Sequence, residues 1–360
     1  MFSTSSSSTS TPLDPTWQPL ISIILPVYNG EDSILAAVRS VLAQTYQNFQ
    51  LIAVNDGSSD GTKALLDTIT DPRVKVVHQE NQGVLVTRDN AFRHAEGEYI
   101  GFIDADDIWL PTKLEAELAV IQRHGQPACL VYSWYYAVDE ANRLFNLSPK
   151  FTDAGNVFET ILNNESVMLP STTLMHRQVY EHIGGFEKID ANCEVEDRPF
   201  FILACKDFPA FPTEQRLVVY RQSMDGRCRS LLKHFDRATR SEELLVASVR
   251  HVLTDAQADK LGKMQTKFLF YRFLMYNFVK EARILYEKVD PQLLTDKKGL
   301  LAKLSMQTGI NVLYVARRVV QTCFRYALSG WWTQKSSFLQ DYYQPLSPQN
   351  TMKDPSHAGV

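Results

Sequence analysis

GEYIGFIDADDIWLP, residues 97–111, decides the fold. Its first part, Tyr99–Asp104 (YIGFID), is apolar without alternation, as in a strand covered on both faces. It then breaks into Asp104-Ala105-Asp106-Asp107, a run of carboxylates at the strand's carboxyl end. The same pattern recurs upstream. Ile21–Pro26 (ISIILP) runs into Tyr28–Gly30, and Phe49–Val54 (FQLIAV) runs into Asn55-Asp56-Gly57-Ser58. A third short strand is read at Val74–His78. Helical spacing fills the intervals, over Asp32–Ala43 (apolar Ile34, Ala37, Val38, Val41, Leu42), Thr62–Ile69 and Val84–His94. This alternation predicts a mostly parallel α/β sheet with helices on both faces. Ligands of such sheets bind beyond the carboxyl ends of the strands, so three polar segments should converge on one crevice.

Each segment carries its own chemistry. Asp104 and Asp106 stand at i and i+2, where carboxylates on an extended strand end point to one side and can share a divalent cation. Hard oxygen ligands suit magnesium or manganese, and a site with few protein ligands leaves positions for substrate phosphates. The plainer alternative is a solvated acidic turn. Asp60 or Thr62 serves to cap the helix that follows the NDGSSDGT turn. Asp56 is therefore free to accept hydrogen bonds from the edge of a base.

Five segments, ISIILPVYNGE, LIAVNDGSSDGT, NQGVLVTRDNA, GEYIGFIDADDIWLP and EVEDRPFFILA, stand in order between Ile21 and Tyr220. Together they resemble the family 2 glycosyltransferases of the GT-A fold, over more than half the chain. The resemblance implies that Pro26, Val27, Tyr28 and Asp56 hold the nucleotide base and that Arg88 faces the nucleotide diphosphate. It implies further that Asp104 lies near the ribose and that Asp106, with Asp104, binds Mn2+ or Mg2+. The sequence has Asn55 where many relatives have Asp. Gly185-Phe186 and the later Glu196-Asp197 match the family's G-G-F loop and E-D helix start. By that match Asp197 is the general base, and Glu196 supports it or binds substrate. Arg198-Pro199 departs from the usual aromatic–acidic continuation. Asp107 is an outer-shell group or an N-terminal helix charge, and Trp109 packs, with one edge toward the donor pocket.

Composition narrows the field. Lys and Arg total 37 against 41 Asp and Glu, a net charge of −4, which argues against a nucleic-acid binder. Five cysteines without a CxxC pair exclude a disulfide framework or structural zinc and fit a reducing, cytoplasmic compartment. The histidines show no metal-ligand spacing, and His176 and His182 read as surface residues. No P-loop, no secretory signal and no apolar stretch of spanning length occurs. No QxxRW follows Tyr220-Arg221, which weighs against a processive polysaccharide synthase.

Four regions are expected: a disordered Ser/Thr-rich tail at 1–19, a GT-A catalytic domain at 20–229, a helical region at 230–344 and a disordered tail at 345–360. Lys297–Lys335 holds seven basic residues and no acidic one. On a helical wheel over 308–332, Asn311, Arg318, Gln321, Thr322 and Arg325 share one arc, opposite Leu313, Ala316, Val320, Phe324 and Ala327. With Trp331-Trp332 after it, this helix reads as a contact with the cytoplasmic face of a membrane, or else as a helix packed on the catalytic domain.

The expected function is an inverting transfer of a sugar from a nucleotide-diphosphate sugar, UDP-linked first of all, to an acceptor hydroxyl. The acceptor is a glycan, a lipid-linked sugar or a protein, in the synthesis of a cell-surface polysaccharide, glycolipid or glycoprotein. The alternatives are an inactive nucleotide-sugar-binding scaffold and a sugar nucleotidyltransferase. The latter lacks the Gly-rich phosphate loop it would need after the first strand.

Overall fold

Ile21–Val27 (β1) lies buried along its whole length. Its alternate side chains divide between two cores: Ile23 and Leu25 join one, Ile24 the other. That is the period of two a strand imposes, and it explains why no polar alternation shows in the sequence. The computed structural model describes residues 16–125, 128–163, 168–222, 227–321, 332 and 339–342, the side chains of 227–229, 340 and 341 excepted.

β2 (Phe49–Asp56) and β4 (Tyr99–Phe102) flank β1 in parallel, with Ile24 opposite both Ile52 and Phe102. β3 (Val74–Gln79) extends the parallel half at its outer edge. Beyond β4 the sheet turns antiparallel. β8 (Thr173–His176) pairs with β4 and with β6 (Leu130–Val138). β9 (Ala210–Arg221) runs parallel to β6 and antiparallel to the two-residue β5 (Ile108–Trp109), while β7 (Leu144–Leu147) hangs on β6. The order is thus β3-β2-β1-β4-β8-β6-β9-β5, a mixed sheet whose first four strands form the parallel part that the sequence predicts.

α1 (Ile34–Leu42) and α4 (Lys113–His124) cover one face, with Ile34, Ala37, Val38 and Val41 packed inward as their spacing demands. α3 (Val84–Phe92) and α7 (Asp197–Asp207) cover the other. α2 (Thr62–Leu66), α5 (Phe158–Asn163) and α6 (Arg177–Ile183) complete the sheet domain. Within α4, Lys113 and Glu117 form an ion pair at 2.7 Å with neither side chain exposed, and the Lys113 ammonium sits 4.1 Å from the centre of the Trp109 ring.

After β9 the chain is helical: α8 (Arg227–Leu232), α9 (Phe235–Val249), α10 (Asp255–Met275), α11 (Val279–Tyr286), α12 (Lys297–Thr308) and α13 (312–321). The boundary expected near 230 is not a break in packing. Leu244, Leu245 and Val249 of α9 share a core with Phe200 and Phe201 of α7, and Arg237 pairs with Glu194 at 3.0 Å. A separate core forms around Phe270, Phe273 and Leu274 of α10.

Two expectations change. Residues 16–19, assigned to a disordered tail, are tied down: the Asn48 amide donates to the Gln18 carbonyl at 2.8 Å, and the Trp17 ring stands edge-on to Tyr99. An aromatic side chain with apolar surface to bury decides this. His176 is buried, not a surface residue, because its ring caps α6 by accepting from the Gln178 N–H at 3.2 Å. Residues 1–15 and 343–360, and with them Thr322, Phe324, Arg325, Ala327 and Trp331 of the expected amphipathic helix, lie outside the described residues.

Candidate active site

The carboxyl ends of β1 and β2 are stitched together. The Asn29 N–H donates to the Ser58 hydroxyl at 2.9 Å, the Gly30 N–H to Thr62 at 2.8 Å, and the Ser59 N–H to the Asn29 side chain at 2.8 Å. The Thr62 N–H donates to Asp60 at 3.0 Å, the helix-start role its position suggested. Gly57 has a φ of +68°, and a Cβ there would stand 2.6 Å from the Asn81 nitrogen, so only glycine fits this turn. Pro26 and Val27 are buried, whereas Tyr28, at the end of β1, is 55% exposed. Asp56 is buried, and its oxygens accept from the Gln79 amide and from the N–H groups of Gln82 and Gly83 at 2.8–2.9 Å. The carboxylate therefore holds the loop that enters α3, and a base edge would have to share it.

Arg88 is the centre of the arrangement. Its side chain is 3% exposed and lies between two carboxylates, Asp104 at 3.0 Å and Glu196 at 3.2 Å, with the Phe186 ring 5.0 Å beneath the guanidinium. A helix, the end of β4 and the start of α7 thus meet at one cation, across 108 positions of sequence. It is not a surface arginine.

Asp104 keeps a third of its side chain in contact with solvent. Burial, and next the charge of Asp104, push the Asp106 carboxyl up to about 6. A cation beside Asp106 would relieve that burial and repulsion, so the donor set fits a divalent ion. Among the described residues no group of three acid, His or Cys side chains gathers to hold a metal alone. A site built on Asp104 and Asp106 would need oxygens from a ligand, as magnesium and manganese sites on phosphates do. Asp107 is buried and accepts from the Arg221 N–H at 2.9 Å, which fastens the end of β9. Trp109 is fully buried, its indole N–H given to the Ser171 carbonyl at 2.8 Å; it packs, with no edge toward the crevice.

The Gly185-Phe186 loop is held by a residue that sequence reasoning passed over. Asp89, the neighbour of Arg88 on α3, accepts from the N–H groups of Phe186 at 2.9 Å and Glu187 at 2.7 Å, and from the Tyr180 hydroxyl. Gly185 has a φ of +74°, and a Cβ would stand 2.6 Å from Asp89, which explains the glycine. Asp89 sits on a helix with almost no amphipathic pattern, a signal that its polar residues face inward. Asp197 opens α7 and accepts from the Arg198 N–H at 2.9 Å, and its side chain is only partly buried. Of the residues expected in the site, Arg88 touches Asp104, Glu196 and Phe186, Gly185 and Asp197 adjoin the last two in the chain, and Trp109 packs in the other core.

Comparison with known proteins bears on the family and the fold. The family model described as glycosyl transferase family 2 matches residues 22–184. WfgD of Escherichia coli, a UDP-Glc:α-D-GlcNAc-diphosphoundecaprenol β-1,3-glucosyltransferase, is 40% identical over 107 residues, 29% of this chain and 42% of that protein. The glycosyltransferase GlyG of Streptococcus pneumoniae is 30% identical over 204 residues, 52% of this chain and 66% of that protein. The chain thus spans less than two thirds of the length of these curated relatives. The crystal structure of S. aureus TarS 1-349 superposes with a TM-score of 0.53 over 85% of this chain and 91% of that one, at 18% identity. At that identity the likeness shows the GT-A fold alone.

Proposed function

We propose, from the premise that this chain belongs to the family 2 glycosyltransferases, that it moves a sugar from a nucleotide-diphosphate sugar to an acceptor hydroxyl with inversion at the anomeric carbon. The observation that carries the reading is the contact of Arg88 with Asp104 on one side and Glu196 on the other, which ties the donor acids to the helix that starts with Asp197.

In this reading the acceptor oxygen attacks the anomeric carbon as the bond to the diphosphate oxygen breaks on the opposite face. Asp197 takes the hydroxyl proton; its partial exposure at the first position of α7 leaves it reachable from the crevice. Glu196, fixed by Arg88, orients that helix start. Asp106, with Asp104, would hold Mn2+ or Mg2+, which supplies charge neutralisation to the departing diphosphate. Tyr28 offers a face on which a base can stack, and Pro26, Val27 and Asp56 shape the floor beneath it. A UDP-sugar is the donor proposed, supported by the UDP-glucose in the name of WfgD, and a lipid-linked saccharide the acceptor. Transfer is non-processive. The free, buried Cys129, Cys193 and Cys205 fit a cytoplasmic setting.

The test is release of nucleoside diphosphate from a panel of nucleotide sugars with Mn2+, Mg2+ or EDTA. One donor should respond to metal, and Asp106→Ala and Asp197→Ala should each lower turnover by about 100-fold or more. Turnover near wild type in both variants overturns the assignment. Donor binding without turnover across many acceptors would make the protein a scaffold.

A further inference from the structure

The helical region carries a surface that the chemistry of the crevice does not use. Among the described residues eight large apolar side chains are exposed, and six of them, Leu300, Leu304, Ile310, Val315, Val319 and Val320, lie within one short stretch. Single exposed apolar residues are ordinary, whereas a concentration of this kind marks a contact surface.

The two helices that bear it form a hairpin. Ala302 and Met306 of α12 and Leu313 of α13 enter the same core, and the Leu313 N–H donates to the Ser305 hydroxyl at 3.2 Å. At 100° per residue, Leu300 and Leu304 fall on the side of α12 opposite Ala302, with Lys297 beside them. On α13, Val315 and Val319 fall on the side away from Leu313, with Arg318 beside Val315. This differs from the wheel expected from sequence. Asn311 turns inward, its amide donating to the Leu274 carbonyl at 2.9 Å, and Arg317 donates to the Met275 carbonyl at 2.8 Å. The outward face is therefore mixed apolar and basic, not purely basic.

Charge selects the occupant. Between Asp296 and Asp341 there is no acidic residue, while Lys297, Lys298 and Lys303 line α12. Lysine is depleted and aromatic residues are enriched at protein–protein interfaces; this patch has the reverse composition. Aliphatic side chains flanked by Lys297 on α12 and Arg318 on α13, with Lys298 exposed at the helix start, suit a bilayer of anionic lipids, the apolar groups at the acyl boundary and the cationic groups among the headgroups. No helix of the described residues is long and apolar enough to cross a membrane, so such contact lies along the surface. We infer that the outer face of the α12–α13 hairpin docks on an anionic membrane surface. This holds whether or not the proposed transfer is correct.

The experiment is co-sedimentation of the full chain with sucrose-loaded vesicles of phosphatidylcholine alone or with about a third phosphatidylglycerol, at low and high salt. Partition onto the anionic vesicles should exceed that onto neutral ones by about tenfold and fall with salt. Lys297→Glu with Lys298→Glu should lower it about tenfold or more, and Leu304→Glu with Val319→Glu likewise. Nucleotide-sugar binding by these variants, read without vesicles, should match wild type. Equal partition onto both vesicle types overturns the inference, as does undiminished binding by the lysine variant, which decides the matter alone if the apolar variant does not fold. So does a self-association in solution that Leu304→Glu abolishes while vesicle binding is absent.

Discussion

Arg88→Met removes the cation between Asp104 and Glu196 while keeping most of the side-chain volume. The two carboxylates differ in what they lose. Asp104 is 33% exposed, so water takes over much of the guanidinium's role and that half of the contact contributes little. Glu196 is 5% exposed at the side chain, and removing the partner of a buried charge costs about 3–5 kcal/mol. Loss of the guanidinium from the Phe186 face adds a smaller penalty. The expected destabilisation is about 3 kcal/mol at pH 8, the low end of the range, because only one carboxylate is deeply buried. It should depend on pH with a definite sign. Without the Arg88 guanidinium a buried carboxylate loses its compensating charge, so neutralising it with a proton favours folding. The deficit of the variant therefore shrinks at pH 5 and grows as the pH rises. Urea denaturation at pH 5 and pH 8, with Glu196→Gln alone and in combination, measures this directly. The double variant should recover most of the loss at pH 8, since no buried charge is left behind. A single variant within 1 kcal/mol of wild type at pH 8 (about the worth of an exposed pair), or a double variant no better than Arg88→Met, would refute the reasoning.

Asp106→Asn should trade activity for stability. The Asp106 carboxyl is raised to about 6, so its charge opposes folding above that pH and ceases to do so near 4. In EDTA the variant should gain about 1 kcal/mol at pH 7.5 after allowance for solvent screening, and the gain should vanish toward pH 4; thermal scans across pH read both. Asp89→Ala leaves two N–H groups and a hydroxyl without their acceptor, for an expected loss of about 3 kcal/mol and faster hydrogen exchange at Phe186 and Glu187. Unchanged exchange there would show that the loop is held by something else. Lys113→Met should destabilise by about 3–5 kcal/mol, while Lys113→Met with Glu117→Leu should return close to wild type in the same denaturation assay.

The parallel half of the sheet was legible because its strands are buried on both faces and so read as unbroken apolar runs between turn signals. The strand expected to reach Asp104 ends in the sheet at Phe102, since the acidic turn cannot continue the ladder. Val84–His94 forms a helix that ends at Phe92. β5 was not legible: two residues carry no period, and Ile108–Trp109 becomes a strand only because β9 arrives beside it. The same limit hid Asp89. Its function is a long-range contact to a loop more than ninety positions away; the weak amphipathic pattern of its helix marks it as an inward-facing polar residue but does not say what it meets. Arg88 shows the converse. Its place followed from motif resemblance, but its burial between two acids did not, because that depends on how β4 and α7 converge.

Sheet order also bears on how such a protein can be recombined. Three residue pairs, Tyr99 with His176, Ile100 with Met175 and Gly101 with Leu174, join the parallel half to the antiparallel half along β4 and β8. That seam looks like a place to graft one half onto a foreign counterpart. α3 forbids a clean cut there, since Arg88 and Asp89 reach across it to Glu196 and to the backbone of Phe186 and Glu187. A chimaera that exchanges antiparallel halves must therefore inherit α3 together with residues 184–197, or redesign both sides of that contact at once.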